Sequence, residues 1–306
     1  MATVRRLTSA AIRARKQARF AVVTAYDAPF ARCAEEAGID VLLVGDSLGM
    51  VVLGYDSTAP VELEDMCRHA AAVARGSAKA HVIVDLPLGS YQASDEDAIR
   101  SAIALVKIGA SSVKLEGGEN VAPRIAAIVR AGIPVCAHIG VLPQTAGIGA
   151  GFRRKNDTAR LLADARAVEA AGAFAVVLEM VDSAAAAELT QALSIPTIGI
   201  GAGGSCDAQV LVMHDMLGLY AHAPPFAKRY AELASIATEA FREYAREVRD
   251  GTFPPRPAPA DDRAAAHADA PVYAISKPTA LAIARSSPPA EHCSSRPVPS
   301  NSNDIF

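Results

Sequence analysis

The sequence predicts an α/β fold, and specifically a (β/α)8 barrel, from three observations. Eight short runs of mostly branched apolar residues recur along the chain, as in parallel strands that are buried on both faces. Segments with helical spacing separate most of these runs, and they are long enough to return the chain for a parallel strand. Four of the runs end on a carboxylate, which core packing does not explain. Barrels of this kind fold as one domain of roughly 250 residues.

Composition and charge exclude several classes of function. The chain has 306 residues, of which 51% are hydrophobic, and its formal net charge is −3. Lys and Arg are scattered among Asp and Glu, so the basic stripe of a nucleic-acid-binding protein is absent from the sequence. No apolar run reaches the ~18 residues that a membrane helix needs. The five cysteines have no paired spacing, so we expect free thiols in a cytoplasmic protein that acts on small molecules.

The predicted strands and helices alternate. The strands are Phe20–Thr24, Asp40–Asp46, His81–Asp85, Ser112–Glu116, Pro134–His138, Phe174–Glu179, Pro196–Ile200 and Gln209–Met213. The helices are Thr8–Gln17, Pro29–Gly38, Val61–Arg75, Ser94–Gly109, Asn120–Ala131, Thr158–Ala171, Ser183–Leu193 and Phe226–Val248. Two stretches, Leu48–Thr58 and Gly140–Asp157, lack clear periodicity. We expect both to be loops, and the second, which is rich in Gly and basic residues, to be a mobile lid.

The composition changes after residue 253. Residues 254–306 are rich in Pro, Ala and Ser and contain few large apolar residues. Such a segment cannot bury enough surface to offset its ordering entropy. We therefore expect a catalytic barrel over residues 1–253, followed by a disordered tail.

Side chains at the carboxyl ends of barrel strands meet at one mouth. In this sequence they are Asp46, Asp85, Glu116, His138, Glu179 and His214. Two adjacent carboxylates repel unless a cation or proton lies between them, and Mg²⁺ favours one or two carboxylates plus water and substrate oxygens. Asp46 and Asp85 therefore indicate a magnesium site that a 2-oxo acid could complete. The alternative is that each Asp caps the helix after its strand.

Three further residues have a functional and a structural interpretation. Lys114 lies within an apolar strand and shares a face with Glu116. Lys114 either holds a substrate carboxylate or oxyanion while Glu116 supports the metal or its water, or the two form a structural ion pair. Glu179 follows an apolar run, and such surroundings suit a carboxylate to proton abstraction; it is otherwise a buried, hydrogen-bonded acid. His138 is ambiguous between a core residue and a group that orients an intermediate's oxygen.

The glycine-rich run Gly199–Gly204 has two interpretations as well. Small residues let backbone N–H groups approach an anion, as in a phosphate-binding loop. The run lacks the Lys-Ser/Thr of a Walker loop, and its order after strand seven is not that of a dinucleotide fold. We favour close backbone packing at the mouth.

Five motifs in a fixed order resemble those of the ketopantoate hydroxymethyltransferase family. They are Val44–Tyr55, Asp85–Tyr91, Val113–Gly118, His138–Gly140 and Ile198–Gly203. The resemblance covers about Thr8 to Phe253. It implies a (β/α)8 barrel that transfers a hydroxymethyl group from the co-substrate 5,10-methylenetetrahydrofolate to 3-methyl-2-oxobutanoate. The product is 2-dehydropantoate, and the reaction is the first step of pantothenate biosynthesis.

The resemblance also implies roles for individual residues. Asp46 and Asp85 would bind one Mg²⁺ per subunit, with Glu116 joining its shell. The substrate-binding residues would be Asp46, Ser47, Asp85, Lys114 and His138. Glu179 matches the general base, which removes the C3 proton to give a Mg²⁺-stabilised enolate. The family typically assembles as a homodecamer, a pentamer of dimers.

Two other functions share part of this pattern. Lyases of the phosphoenolpyruvate-mutase and isocitrate-lyase type resemble this family in their barrel fold, in the acidic residues of the site and in the oxo acid that binds to the metal. Such lyases usually carry a Lys-Lys-Cys-Gly-His type of loop, which the sequence lacks. A barrel without chemistry, retained as an interaction platform, has little reason to keep Asp46, Asp85, Lys114, Glu116 and Glu179 at one mouth.

Overall fold

Eight parallel strands close into a barrel, which confirms the predicted fold class. The computed structural model of the chain describes residues 6–147, 151–221 and 223–255. Each strand pairs with the next along the sequence, and the last pairs with the first. The strands are β1 Phe20–Thr24, β2 Val41–Val44, β3 His81–Asp85, β4 Ser112–Glu116, β5 Val135–Gly140, β6 Ala175–Glu179, β7 Thr197–Ile200 and β8 Ala208–Leu211.

Helices surround the barrel at nearly all the predicted places. They are α1 Ser9–Arg13, α2 Ala28–Glu36, α3 Leu48–Val51, α4 Leu63–Gly76, α5 Asp95–Lys107, α6 Ala122–Arg130, α7 Pro143–Ala146, α8 Thr158–Ala170, α9 Ser183–Ala192, α10 Met213–Leu217 and α11 Leu233–Asp250. The predicted cap of α5 is present, since the backbone N–H of Asp97 donates to Ser94 Oγ at 3.0 Å. The connection from β7 to β8, residues 201–207, contains no helix.

The structure differs from the predicted elements in several places. The stretches expected to be loops contain the short helices α3 and α7. Each is too short to show a period in sequence, and each contributes buried residues, for example Leu48 and Gln144. The last helix begins at Leu233 rather than Phe226. The backbone N–H of Tyr230 instead donates to the carbonyl of Met216 at 2.7 Å, which takes the preceding segment out of helical pairing.

Glycines at the end of β7 and directly after it pack closely, in agreement with the favoured interpretation of the run Gly199–Gly204. A Cβ on Gly201 would lie 2.8 Å from Phe226 Cδ1, and a Cβ on Gly199 would lie 2.9 Å from Cys206 Sγ. Gly201 also has φ +61°, a conformation that side chains other than glycine rarely adopt. Packing therefore requires glycine at positions 199 and 201, and backbone conformation requires it at 201 as well, whereas a Cβ on Gly204 would meet nothing within 4 Å.

Alternation along the strands places the polar residues inside the barrel. In β4, Val113 and Leu115 belong to the apolar layer between sheet and helices, so Lys114 and Glu116 point inward. Ile83, Cys136 and Val177 lie in a second apolar cluster inside the barrel. Two residues further along the same strands come Asp85, His138 and Glu179. The polar residues therefore form a layer on top of an apolar barrel interior.

The chain divides into two compact units, Met1–Glu243 and Tyr244–Phe306. The described part of the second unit comprises the end of α11 and residues 251–255, where the rings of Tyr244 and Phe253 make an edge contact at 5.5 Å. From residue 256 onward, the predicted disordered tail lies outside the described residues. Within the described ranges, no helix is long and apolar enough to cross a membrane. Cys33, Cys67, Cys136 and Cys206 are free thiols.

Glu35 of α2 organises the turn that leads into β3 and so towards Asp85. Its carboxylate accepts hydrogen bonds from the Ser77 hydroxyl at 2.6 Å and from the backbone N–H groups of Lys79 and Ala80 at 2.7 and 2.8 Å. Burial acts to raise the pKa of Glu35, but these hydrogen bonds outweigh it and lower the pKa to about 2. The ionised carboxylate therefore stabilises the folded chain.

We expect Glu35→Gln to lower the free energy of unfolding by about 1 kcal/mol at pH 7, because solvent screens this partly exposed carboxylate. The folded-state pKa lies below the unfolded one, so the stabilisation is present above about pH 5 and is lost as the pH falls towards 2. Urea denaturation of both proteins at pH 7 and pH 3 measures this. A difference that does not shrink at pH 3 contradicts the assignment.

Candidate active site

Six ionisable side chains from neighbouring strands converge in one cavity at the carboxyl ends of the strands. The cavity has a volume of about 870 Å³. Its polar lining includes Asp46, Asp85, Lys114, Glu116, His138 and Glu179. All but Glu179 are buried, with relative exposures of 2–4%. Apolar side chains such as Met50, Val51, Tyr55 and Phe226 form much of the remaining wall. The structure therefore brings together all the predicted mouth residues except His214.

Lys114 lies at the centre of this group because of the strand register. Asp85 on β3 pairs with Lys114 on β4. Lys114 Nζ lies 3.1 Å from Asp85 Oδ1 and 3.2 Å from His138 Nδ1. Burial disfavours the ammonium, but the negative charges of Asp85, Glu116 and Asp46 outweigh it and raise the pKa of Lys114 above its ordinary value. Lys114 is therefore charged, and its ion-pair partner is Asp85 rather than Glu116.

The carboxylates around Lys114 destabilise one another. Asp46 donates its backbone N–H to Asp85 Oδ2 at 3.1 Å, which places the two acids side by side. Burial, followed by the charge of Asp85, raises the pKa of Asp46 to about 7. Burial and then the charge of Asp46 raise the pKa of Glu116 well above its ordinary value. One ammonium does not compensate these buried acids, so a further cation or bound protons must balance their charge.

This donor set fits a divalent cation. Mg²⁺ is ordinarily held by one or two carboxylates, with water and substrate oxygens completing its shell, and Asp46 and Asp85 offer such a pair. Among the described residues, no group of three or more His, Cys, Asp or Glu side chains is arranged to hold a metal by itself. The capping alternative is not observed, since Ser47 and Ser94, not the aspartates, occupy the N-cap positions of α3 and α5.

His138 connects Lys114 with Glu179. Burial, followed by the charge of Lys114, lowers the pKa of His138, so the ring is neutral. Its Nδ1 accepts from the ammonium, and the ring proton is therefore on Nε2. This nitrogen faces Glu179 Oε2 at 3.4 Å. The residue after Glu179, Met180, has φ +47°, a strained conformation of the kind that occurs at functional sites.

Ser47 lines the same cavity and is held by Tyr26, whose hydroxyl lies 2.8 Å from Ser47 Oγ. His214 was wrongly expected to line the mouth. Strand β8 ends at Leu211, two residues earlier than predicted, because Met213 begins α10 and donates its N–H to Thr24 Oγ1 at 2.8 Å. The ring of His214 lies against Tyr26, at a centroid distance of 5.4 Å.

The predicted site residues did not include Gln144 and Tyr91, although Tyr91 is the last residue of the motif Asp85–Tyr91. Gln144 Nε2 donates to Asp46 Oδ2 at 2.8 Å, and the Gln144 backbone N–H donates to Glu116 Oε2 at 3.1 Å. The Tyr91 hydroxyl donates to Gln144 Oε1 at 2.8 Å. Periodicity carries no signal for either residue. The one local feature of Gln144 is that it is a polar residue directly after Pro143, and this position does not predict a place in the site.

The predicted lid is partly anchored to the barrel. The backbone N–H of Lys155 donates to the carbonyl of Met180 at 2.9 Å, and Arg154 donates to the carbonyl of Gly201 at 2.7 Å. Residues 148–150 lie outside the described part of the chain. In the described part, α7 and residues 154 and 155 are held by hydrogen bonds, and the mobility of this segment stays a prediction.

The fold and the cavity together define a class, the (β/α)8-barrel enzymes, whose active sites are built at the carboxyl ends of the strands. The family model for ketopantoate hydroxymethyltransferase matches residues 5–256. The chain belongs to this family and is an enzyme of the transferase class.

Individual relatives agree with the family match. A protein of Ignicoccus hospitalis named 3-methyl-2-oxobutanoate hydroxymethyltransferase is 51% identical over 240 residues, covering 77% of this chain and 91% of the relative. A protein of the same name from Chloroflexus aurantiacus is 56% identical over 241 residues, covering 77% and 85%. The structure of phosphoenolpyruvate phosphomutase from Streptomyces platensis subsp. rosaceus is similar with a TM-score of 0.56, covering 80% of this chain and 88% of that one. At 18% identity this likeness shows the fold alone.

Gly140 lets β5 and β6 approach each other beside His138 and Glu179. It has φ +101°, and a Cβ there would lie 2.3 Å from the carbonyl oxygen of Glu179. We expect Gly140→Ala to lower the free energy of unfolding by about 2–4 kcal/mol, through backbone strain and overpacking.

Gly132 provides a matched control, because it has φ +85° but a Cβ added there would meet nothing within 4 Å. Gly132→Ala should cost about 1–2 kcal/mol, from backbone strain alone. Urea denaturation of the two variants compares them. If both variants lose the same free energy of unfolding, the close approach of position 140 to the Glu179 carbonyl is not a reason for glycine there.

Proposed function

We propose that the protein transfers a hydroxymethyl group from 5,10-methylenetetrahydrofolate to 3-methyl-2-oxobutanoate, giving 2-dehydropantoate for pantothenate biosynthesis. The names of its relatives support this reaction. The observation that carries the proposal is the arrangement of Lys114 between Asp85 and His138, with Glu179 facing His138. In this arrangement the Lys114 ammonium can bind an anionic substrate, and the Glu179 carboxylate can accept a proton from it.

The oxo acid binds in the cavity through groups suited to its oxygens. The charged Lys114 attracts its carboxylate or the oxyanion that develops from its keto group. The Ser47 hydroxyl and the ring of His138 line the same space. Asp46 and Asp85 would hold Mg²⁺, with Glu116 joining through water. A Mg²⁺ ion in this position would polarise the keto oxygen and make the neighbouring C3 proton more acidic.

Glu179 acts as the general base and removes the proton from C3. The resulting enolate carbon attacks the methylene carbon carried by the folate, and a carbon–carbon bond forms. The two bonds from this carbon to the folate nitrogens break, and water supplies the oxygen of the new hydroxyl group. The C3 proton taken up by Glu179 and the second proton of that water pass to the two nitrogens, so that tetrahydrofolate leaves and the carboxylate is regenerated. His138 Nε2 faces Glu179 Oε2 at 3.4 Å without a hydrogen bond between them. A small approach of the two groups on substrate binding would let the Nε2–H donate to this carboxylate and orient it towards the substrate.

We also propose that the enzyme is cytoplasmic and homo-oligomeric, a homodecamer by family resemblance. The free thiols support the location. Exposed apolar side chains on α11 support association, because Ile236 and Phe241 are 63% and 72% exposed. We propose no nucleic-acid or membrane partner.

Metal dependence has a direct thermodynamic test. We expect Mg²⁺ at about a hundred times its dissociation constant to stabilise the wild-type protein by about 2.7 kcal/mol. EDTA should abolish this effect and the activity, and excess Mg²⁺ should restore both. Asp46→Asn should lose the Mg²⁺-dependent stabilisation, whereas Asp250→Asn, at an exposed helix end, should retain it. Thermal denaturation with and without Mg²⁺ measures both variants. Equal stabilisation of Asp46→Asn and wild type contradicts the proposed ligand.

The proposed chemistry can be tested on the removal of the C3 proton from 3-methyl-2-oxobutanoate, which is the first half of the reaction. Proton NMR of 3-methyl-2-oxobutanoate in D₂O should show exchange at C3 that requires protein and Mg²⁺. We expect Glu179→Gln to slow this exchange by about 10²–10⁴-fold, because the amide cannot accept the proton. Glu188→Gln, on the exposed side of α9, is the control and should exchange like wild type.

Exchange with wild-type protein but no loss in Glu179→Gln would assign the base elsewhere. No exchange even after folate is added would contradict the transferase reaction itself. A lyase of the phosphoenolpyruvate-mutase type, or a barrel without chemistry, would then be the better assignment.

A further inference from the structure

We propose that Gln144 is a positioning residue that holds Asp46 and Glu116 in the arrangement that binds the metal, and that Tyr91, which is hydrogen-bonded to β4, supports Gln144. The inference rests on the metal site of the proposed function. It assigns a role to two residues that lie outside the predicted ligands and that the reaction itself does not use.

Gln144 connects the two acids from one position. Its side-chain Nε2 donates to Asp46 Oδ2 at 2.8 Å, and its backbone N–H donates to Glu116 Oε2 at 3.1 Å. Gln144 is 2% exposed, so these hydrogen bonds are shielded from water. It lies on α7, directly after the strand that carries His138, and so links the acids of β2 and β4 to the segment after β5.

The orientation of the Gln144 amide follows from its partners. Nε2 has two hydrogens, and it donates to the Leu86 carbonyl at 2.9 Å as well as to Asp46. Oε1 accepts from the Tyr91 hydroxyl at 2.8 Å. A flipped amide would place its oxygen against the acceptors of both Asp46 and Leu86. Asp46 and the Leu86 carbonyl therefore set the orientation of the amide. In this orientation Oε1 faces the Tyr91 hydroxyl, whose single proton can go either to Oε1 or to the Glu116 carbonyl oxygen at 3.1 Å.

Tyr91 is itself held by β4. Its hydroxyl oxygen accepts from the backbone N–H of Glu116 at 3.2 Å. Tyr91 is 2% exposed, and its ring is among the largest fully buried side chains of the described residues. The chain of hydrogen bonds from Glu116 through Tyr91 and Gln144 to Asp46 thus connects two proposed metal-site acids over buried groups.

A neutral donor is the physically suitable choice at position 144. Gln144 occupies one oxygen of Asp46 and one oxygen of Glu116, and the second oxygen of each acid remains for other partners. An Arg or Lys at this position would also hold the acids but would neutralise the charge that attracts a cation. Gln144 orders the carboxylates and preserves their charge, which is how outer-shell residues support a metal.

The test uses Mn²⁺ alone as the probe, with free Mn²⁺ counted by its EPR signal during titration of the full-length protein. Gln144→Met removes both side-chain donors and the acceptor while keeping a similar side-chain length. We expect the dissociation constant for Mn²⁺ to rise by about 10–100-fold. Gln191→Met, on the exposed side of α9, is the matched control and should bind Mn²⁺ like wild type.

A second control separates a specific loss of Mn²⁺ affinity from a general loss of fold stability. Thr190→Val removes a hydroxyl that hydrogen-bonds Thr197 Oγ1 at 2.8 Å, outside the acid cluster. It should lower the melting temperature without changing Mn²⁺ affinity. If Gln144→Met and Thr190→Val weaken Mn²⁺ binding alike, general destabilisation explains the effect and the positioning role is overturned.

The coupling between Tyr91 and Gln144 is tested by a double-mutant cycle. Tyr91→Phe should weaken Mn²⁺ binding in the same direction as Gln144→Met, and the double variant should be no weaker than Gln144→Met by more than about twofold. Multiplicative effects would show that Tyr91 does not act through Gln144. If wild-type protein binds no Mn²⁺, the proposed metal site fails; if wild type and Gln144→Met bind equally, only the present inference fails.

Discussion

Repulsion among the buried carboxylates of Asp46, Asp85 and Glu116 is the constraint on which the rest of the site depends. Carboxylates in such a position would lose their charge unless cations and hydrogen-bond donors compensated them. Lys114 supplies one positive charge, and Gln144 supplies donors without charge. The compensation is incomplete, as the raised pKa values of Asp46 and Glu116 show. The remaining negative charge is what the divalent cation of the proposed function would balance.

The barrel maintains this unfavourable grouping of charges because the site is built on rigid strands. Apolar side chains fill the inside of the barrel below the site. Because side chains alternate along a strand, the residue two positions further on points inward directly above this apolar layer. Register then decides which groups meet, so that Asp85 lies beside Lys114 and Glu116 beside His138. Backbone hydrogen bonds between strands, rather than flexible loops, therefore set most of the distances in the site.

The comparison with distant barrels shows why the residues at the mouth matter more than the scaffold. A phosphomutase shares the fold at 18% identity, and fold alone does not determine which reaction is catalysed. The relatives at 51% and 56% identity are similar over most of their length, and this level of similarity establishes the family. The chemistry proposed for this chain depends on Lys114, Glu179 and the acid pair.

The sequence by itself determined the barrel, the approximate positions of its strands and most of the residues at their ends, because strand period and apolar runs are local properties. Asp46, Asp85, Lys114, Glu116 and Glu179 could be selected in this way. Tertiary structure alone decided that Lys114 pairs with Asp85, that His214 lies outside the cavity, and that Gln144 and Tyr91 join the acids. These facts depend on strand register, on where β8 ends and on contacts between residues far apart in the chain, and no local pattern encodes such contacts.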